Sequence, residues 1–438
     1  MGHTKRIVIY IGLILIIETL CTSFSWKSNS EEAIKLQPQG KSLTDSELLD
    51  KSELTLQEAI DIALEKNKQV QSVKAKLPVI EANLIIAKYF PNPRIGSNAE
   101  IVTGGSVHPV ELGQTLELGR KRHWRIEVAK KEISKTELEI RKVLWETKVQ
   151  AHIAYSTFSA DLELFNIAKK RLEFYKSLLE IAEKRYSAGD ISGLDVDRTK
   201  MEVLSAENDL NEFEKKLTKS QIEFNTLLGV SVASNLTPVS PETLKPQIML
   251  EDESIKKAID GATIKRLEIA ILENEFGITR AKLKKARWER IPSLYVEGGP
   301  ARPSFRDNIW GPYVGAEFEL PVFNRKQGEI KEAKAQIGFL EKERNRIELE
   351  IQAEVKSAYK NLEVSEKQVK RFEEQLLTYS ENILDMIKKG YEIGRLNLTD
   401  VLNAEQKNRD LREEYLESLL NYQASLASLE YSVGVSLL

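Results

Sequence analysis

The chain has 438 residues, with 64 Lys+Arg against 67 Asp+Glu and a formal net charge of −3. This balance leaves no basic surplus to neutralise a nucleic-acid backbone, so no nucleic-acid partner is expected. The one cysteine, Cys21, excludes a disulfide within the chain. The prolines leave two proline-free spans, 110–237 and 322–438. Because short loops tend to recruit Pro, spans of this length predict very long helices.

The N-terminal residues have the pattern expected of an export signal. Two basic residues precede an apolar stretch, Ile7–Ile17, which is too short to span a bilayer and is typical of a signal peptide. We predict a signal peptide over residues 1–25, followed by a polar leader over residues 26–53. Two alternatives stay open, namely acylation of Cys21 as in a lipoprotein and an uncleaved N-terminal anchor.

Sequence identities recur at a nearly constant offset. Ala59-Ile60-Asp61 recurs 199 positions later as Ala258-Ile259-Asp260, and Gly229-Val230 recurs 205 positions later as Gly434-Val435. Recurrence of this kind indicates a duplicated unit. We predict a first repeat over residues 54–230, a proline-containing linker over 231–253 and a second repeat over 254–438.

Each repeat is predicted to contain a first helix, two strands, a very long helix and a returning helix. The first helices are predicted at 55–89, with a kink at Pro78, and at 254–289. Neither Gly nor Pro occurs between Arg120 and Ala188, which predicts a helix of roughly 100 Å. Apolar residues at alternating spacings of three and four predict a coiled coil in each copy; they are Phe165, Ala168, Leu172, Tyr175, Leu179, Ala182 and Tyr186, and then Val369, Phe372, Leu376, Tyr379, Ile383 and Met386.

Apolar and polar side chains alternate in four segments, at 94–101, 110–118, 294–297 and 314–320. This alternation predicts strands with one apolar face and one polar face. Tilted strands of about 9–11 residues can span a bilayer, and a sheet in lipid must close on itself. Because known outer-membrane barrels have at least eight strands, four lipid-facing strands require several chains. A soluble protein with two hairpins packed on helices is the alternative.

The chain resembles the TolC-type outer-membrane efflux protein family over nearly all of its mature length. The duplicated unit, the strand pair in each copy and the long helical hairpins all fit. The segment 390–404, which reads GYEIGRLNLTDVLNA, is similar to the family's signature at its periplasmic tip. The stretches Glu117–Arg122 and Leu320–Gly328 make the resemblance closest to the heavy-metal, CzcC-like branch.

This resemblance implies a mainly α-helical protomer with a small β part in the membrane. Three protomers would form a twelve-stranded β-barrel in outer-membrane lipid and an α-barrel of coiled helical hairpins reaching into the periplasm. The implied function is a passive exit duct that works with a periplasmic adaptor and an inner-membrane pump, of the RND type if the cargo is heavy-metal cations. A type I secretion or multidrug duct of the same fold, and a soluble periplasmic coiled-coil scaffold, are the alternatives.

No enzyme and no cofactor are expected, because the chain has no nucleotide-binding loop, nucleophile elbow or metal-ligand motif. The functional residues implied by the resemblance lie at the two helical tips. Those expected to dock the adaptor are Gly189, Asp190, Gly193, Leu194, Asp195, Gly394, Leu396 and Asn397. Those expected at the periplasmic entrance are Tyr391, Arg395, Asp400 and Asn403.

Two acidic residues ring the entrance in the family. Asp400 matches the first, whereas Asn403 stands where the second would be. Three symmetry-related carboxylates at Asp400 would attract cations. There are two alternative interpretations. The glycines only allow the chain to turn between helices, and Asp400 only caps a helix.

Overall fold

The computed structural model describes residues 53–99, 107–239, 244–246, 261–262, 265–302 and 309–434. The predicted signal peptide lies outside these residues, as do the leader up to residue 52 and the predicted beginning of the second repeat. No helix within the described ranges is long and apolar enough to cross a membrane.

The described chain opens with three short helices instead of one. After strand β1 come helices α1, α2 and α3; their bounds are Glu53–Leu54, Leu56–Lys66, Lys68–Lys74 and Leu77–Lys88. The prediction of a single helix over 55–89, kinked at Pro78, is therefore wrong. Pro78 lies in the first turn of α3, where its missing N–H has no helical partner to lose.

The main break of this segment falls at Asn67. Its Oδ1 accepts hydrogen bonds from the backbone N–H groups of Gln69 and Val70, at 2.9 and 3.1 Å, and so caps α2. Its Nδ2 donates to the carbonyl of Leu227, at 2.7 Å, near the end of a distant helix. The Asn67 side chain thus caps the N-terminus of α2 and donates a hydrogen bond to a carbonyl near the C-terminus of another helix.

The second half of the chain breaks at the equivalent position, 199 residues later. Helix α6, Leu267–Trp288, begins directly after Arg266. Arg266 Nη1 donates to the carbonyl of Ser432 at 3.2 Å and to Glu354 at 2.9 Å. The predicted continuous helix over 254–289 is therefore also wrong, since a tertiary contact ends it at Arg266.

Very long helices dominate the rest of the chain, as predicted. Helix α4 has 67 residues and is therefore roughly 100 Å long. In the second half a π-helical turn, Phe372–Leu376, interrupts the matching helix, which the sequence pattern did not predict. The long helices are α4 Lys121–Ser187, α5 Gly193–Leu228, α7 Gln327–Arg371, α8 Leu377–Glu392 and α9 Leu398–Val433.

Four strands form one antiparallel sheet in the order β2-β3-β5-β6. They are β2 Arg94–Ala99, β3 Val107–Leu116, β5 Leu294–Ala301 and β6 Gly311–Phe318. The short β4, Thr237–Pro238, pairs in parallel with β1 instead. A mainly α-helical chain with a small β part is thus confirmed, although Leu118 and Leu320 lie beyond the strand ends.

The sheet has one apolar and one polar face. Ile95 pairs with Leu112, and Leu294 pairs with both Leu116 and Phe318, so these side chains share a face. Ile95, Leu112 and Phe318 are each more than half exposed. The opposite face carries polar side chains; they are Arg94, Glu111, Thr115, Tyr295, Glu297, Tyr313 and Glu317.

Candidate entrance at the helical tips

The two ends where long helices reverse have the same backbone geometry. Gly189 follows α4 with φ +83°, and Gly394 follows α8 with φ +75°, a region that glycine adopts without a Cβ clash. One residue further, the N–H of Asp190 donates to the Arg185 carbonyl and that of Arg395 donates to the Gly390 carbonyl, both at 2.9 Å. Each tip therefore ends its helix with the same C-terminal motif.

The returning helices also begin alike. Asp195 Oδ2 accepts from the Ser192 N–H at 3.3 Å, while Ser192 Oγ accepts from the Asp195 N–H at 3.4 Å. Asp400 Oδ2 accepts from the Asn397 N–H at 3.3 Å in an equivalent capping box. Each aspartate thus satisfies a backbone donor and places negative charge at a helix N-terminus, where it is favourable.

Exposed side chains surround both turns. Leu194 is 59% exposed and Leu396 is 37% exposed. Ile393, which the sequence prediction did not single out, is 65% exposed. Apolar surface of this kind at the end of a helical hairpin can bury against a partner. The polar tip residues predicted from the sequence are also exposed; these are Asp190, Arg395, Asn397 and Asn403.

Tyr391 is buried and joins the two tips. Arg185 Nη1 donates to the Tyr391 carbonyl at 2.9 Å, and the guanidinium carbon lies 4.7 Å from the Tyr391 ring centroid. Burial raises the pKa of the Tyr391 hydroxyl, with the charge of Arg185 acting in the opposite direction. The structure thus places Arg185 against Tyr391, whereas the predicted Arg395 side chain is exposed.

A buried charged network lies further along the same helices. Arg171 pairs with Asp209 of α5 and, through Nε at 3.4 Å, with Glu405 of α9. The Tyr175 hydroxyl donates to Glu405 Oε2 at 2.5 Å. We name Arg171, Tyr175, Asp209 and Glu405 the interhelix network, because they join α4, α5 and α9.

Burial controls the electrostatics of the interhelix network. Desolvation raises the pKa of the Glu405 carboxyl, although the Tyr175 hydrogen bond and the Arg171 charge lower it. Desolvation and the hydrogen bond to Glu405 raise the pKa of Tyr175. No local sequence pattern predicts this network, since its members lie on three separate helices.

Next to the interhelix network lies a cavity of about 180 Å³, lined in part by Phe174, Arg409 and Arg412. Two of its lining residues make hydrogen bonds to α8. Arg412 donates to Glu381 at 2.5 Å, and Asn408 Nδ2 donates to Ser380 Oγ at 2.9 Å. The described part of the chain contains no group of three or more His, Cys, Asp or Glu side chains that could hold a metal ion.

Long helices, a small amphipathic sheet and paired helical tips define the class of this protein. The sequence model of the family described as outer membrane efflux protein matches residues 59–230 and 275–435. The chain therefore belongs to the outer membrane efflux protein family, which confirms the resemblance.

Individual relatives agree with this assignment. The chain is similar to the cobalt-zinc-cadmium resistance protein CzcC of Cupriavidus metallidurans, with 23% identity over 381 residues, 85% of this chain and 88% of that protein. Among solved structures, CusC has a TM-score of 0.72 at 15% identity, covering 94% of this chain and 99% of its own. The open-state MtrE channel of Neisseria gonorrhoeae has a TM-score of 0.69 at 17% identity, covering 94% and 98%.

Membership of this family gives the general function and location of the protein. The protein is an outer-membrane efflux channel, and its apolar sheet face is suited to lipid. Family members and structural neighbours are passive channels and not enzymes, as expected from the sequence. The soluble-scaffold alternative is accordingly set aside.

Proposed function

We propose that the chain is the outer-membrane exit duct of a tripartite efflux system for heavy-metal cations. The similarity to CzcC over 85% of the chain supports heavy-metal cations as the cargo. The sheet supports the architecture, because its exposed apolar face and its two outer strands, β2 and β6, call for closure with further chains. Three copies supply twelve strands, which is within the range of closed outer-membrane barrels.

In this proposal the duct is a homotrimer that reaches from the outer membrane into the periplasm. Residues 54–230 and 254–438 are two copies of one unit, joined by the linker 231–253, so that each protomer contributes two helical hairpins. A helix of 67 residues gives the tunnel its length of roughly 100 Å. Transport is passive and the driving energy comes from partner proteins.

The partners in this proposal are a periplasmic adaptor and an inner-membrane pump of the RND type. Exposed Leu194 and Leu396 supply apolar surface at the tips for docking the adaptor. The other docking residues, Gly189, Asp190, Gly193, Asp195, Gly394 and Asn397, shape and cap the turns that present this surface. Selection among metal ions belongs to the pump.

The entrance residues have separate roles in this proposal. Asp400 supplies a ring of negative charge, and Asn403 leaves the adjacent position uncharged. Buried Tyr391 holds the tips together through Arg185, and exposed Arg395 lies on the turn beside it.

Deletion of the gene in its host, followed by growth on graded zinc, cadmium, cobalt, copper and silver salts, tests the cargo. The expected result is sensitivity to at least one metal, restored by the intact gene. Sensitivity to antibiotics alone would favour the multidrug alternative, and loss of a secreted protein would favour the type I alternative.

A further inference from the structure

The cavity beside the interhelix network lies between α4, α8 and α9 and has both apolar and basic walls. Its volume is about 180 Å³. In another protein, an engineered cavity of about 150 Å³ takes up benzene. This cavity therefore has room for a six-membered ring with a small substituent. Its apolar walls are Ile167 and Phe174 of α4 and Leu384 of α8.

The charged walls of the cavity are mostly basic. Among the described residues, the charged side chains that line it are Lys170, Arg171, Arg409, Arg412 and the single carboxylate Glu405. Arg409 pairs with Asp410 at 2.8 Å, and Arg412 pairs with Glu381 at 2.5 Å. Neither of these two carboxylates lines the cavity. Glu381 is exposed and Asp410 is half-exposed, so water screens both of them.

Several guanidinium N–H groups at the cavity make no hydrogen bond within the described part of the chain. The hydrogen bonds of Arg409 and Arg412 to described residues use only Nε and Nη2, which leaves Nη1 of each for another acceptor. Arg171 Nε is buried, and its 3.4 Å ion pair with Glu405 is not a hydrogen bond. Because buried donors are normally hydrogen-bonded, these groups suit a negatively charged oxygen acceptor.

The internal repeat shows that helix packing alone does not require this basic cluster. The four basic residues have equivalents 205 positions away in the other copy. These equivalents are Gln375, Leu376, Leu204 and Glu207. None of them is basic, although both copies build long hairpins rich in charge. The basic cluster therefore belongs to the cavity and not to the repeated hairpin.

We propose that this cavity binds a small monocarboxylate with an apolar body, of the size of benzoate. The two Nη1 groups of Arg409 and Arg412 donate charge-assisted hydrogen bonds to the carboxylate. The apolar body packs against Ile167, Phe174 and Leu384. The ligand then contacts α4, α8 and α9 together, and so joins the hairpin of the first copy to that of the second.

The lining disfavours other classes of ligand. A cation would face four basic side chains. A neutral ligand of the same shape would displace water from the guanidinium groups without replacing its hydrogen bonds. Glu405 repels a second negative charge, which disfavours a phosphate dianion. Acetate carries the right charge, but it has no ring to bury against the apolar walls.

Calorimetric titration of the purified, detergent-solubilised protein tests the ligand class. It is done at constant ionic strength and near neutral pH, where a carboxylate is ionised. Benzoate should bind at least about tenfold more tightly than benzyl alcohol, acetate or inorganic phosphate. It should also raise the temperature of unfolding, because it binds the folded chain. Equal binding of benzoate and benzyl alcohol would overturn the proposal, as would the absence of benzoate binding.

Two double variants test the position of the site. Arg409→Gln/Arg412→Gln should weaken benzoate binding at least about tenfold. The matched control is Arg344→Gln/Arg346→Gln, which removes two exposed, ion-paired arginines of α7 that do not line the cavity. Its affinity for benzoate should equal that of the native protein. Equal affinities of the two double variants would place any benzoate site elsewhere and overturn the proposal.

Arginine labelling locates the site in the unaltered protein, and so decides the question even if a variant fails to fold. Phenylglyoxal modifies accessible guanidinium groups, and peptide mass spectrometry reads each arginine separately. Saturating benzoate should slow the modification of Arg409 and Arg412 and leave the rates at Arg344 and Arg346 unchanged. Protection of all four arginines alike, or of none, would overturn the proposal.

Discussion

Arg185 and Tyr391 join the two helical tips through two different contacts. The guanidinium donates to the Tyr391 carbonyl at 2.9 Å, and it also stacks on the tyrosine ring with 4.7 Å between its carbon and the ring centroid. A planar, charged group can make both contacts at once, whereas a lysine would supply a point charge. The pair thus connects α4 of the first copy with α8 of the second.

Removing the Arg185 side chain should loosen the tips. We expect Arg185→Ala to raise single-channel conductance in planar bilayers, because a partly buried charge-assisted contact worth about 1–3 kcal/mol is lost. Lys184→Ala is the matched control, since Lys184 is the exposed neighbour in the same helical turn. Equal conductance of the two variants would show that Arg185 does not restrain the entrance.

The sequence predicted the features that depend on local pattern. The absence of Gly and Pro between Arg120 and Ala188 predicted α4 nearly to its ends. Alternation of side chains predicted the strands, since one face of this sheet is apolar. Gly189 and Gly394 predicted the turns, because glycine readily adopts the positive φ that the chain has at both positions.

Features that depend on distant contacts were missed. Asn67 breaks a predicted helix by binding a carbonyl 160 residues away, and nothing in the neighbouring sequence signals this. Tyr175 was predicted only as an apolar residue of the coiled coil. Its hydrogen-bond partner Glu405 lies 230 residues away, among the many charged residues of α9. Arg185 was missed for the same reason, since basic side chains are common in the last turn of a helix.

Charge at the entrance can be tested with two matched aspartates. Asp400 and Asp195 both complete capping boxes, so Asp400→Asn and Asp195→Asn remove the same negative charge from equivalent helix N-termini, worth about 0.3–1 kcal/mol. Each variant keeps an amide oxygen that can accept the capping hydrogen bond. We expect only Asp400→Asn to weaken block of single channels by divalent cations, because only Asp400 is proposed to ring the entrance. Equal block of both variants would assign Asp400 to helix capping alone.

The interhelix network predicts strong non-additivity. Arg171→Leu leaves the Glu405 carboxylate buried without its cation and should destabilise the protein by about 3 kcal/mol or more. Arg171→Leu/Glu405→Leu removes both charges and should cost clearly less than the sum of the single variants. Thermal or denaturant unfolding of the native protein, the two single variants and the double variant measures these losses of stability. Additive losses would show that the pair is not coupled.

Two equivalent glycines differ in the space around them. Gly229 and Gly434 end α5 and α9 with φ of +74° and +72°, so alanine is strained at both. A Cβ at Gly229 would lie 2.1 Å from the Lys66 carbonyl oxygen, whereas at Gly434 the nearest atom, the Lys265 carbonyl oxygen, is 3.6 Å away. Gly434→Ala should therefore cost about 1 kcal/mol, and Gly229→Ala clearly more, in unfolding experiments. Equal losses of stability would mean that the backbone around Lys66 shifts to accommodate the added methyl group.

His152 gives the protein a predictable response to acid. Its ring is buried in α4, with Nε2 2.8 Å from Gln423 Oε1. Burial lowers the pKa of His152 below its ordinary value of 6.5. The Gln423 hydrogen bond and the charge of Glu430 oppose this change, and the charge of Lys148 adds to it. The unfolded chain therefore takes up a proton at higher pH than the folded chain does. The stability associated with neutral His152 is present above pH 6.5 and is lost as the pH falls through the folded pKa.

His152→Gln removes this titration while keeping a polar side chain beside Gln423. We expect the loss of thermal stability between about pH 7.5 and pH 5.5 to be smaller in the variant than in the native protein, because the buried group no longer has to charge. Thermal unfolding at constant ionic strength measures the difference. His123→Gln is the matched control, since His123 is exposed near the start of the same helix. Identical pH responses of native protein and His152→Gln would exclude His152 as the acid-sensitive group.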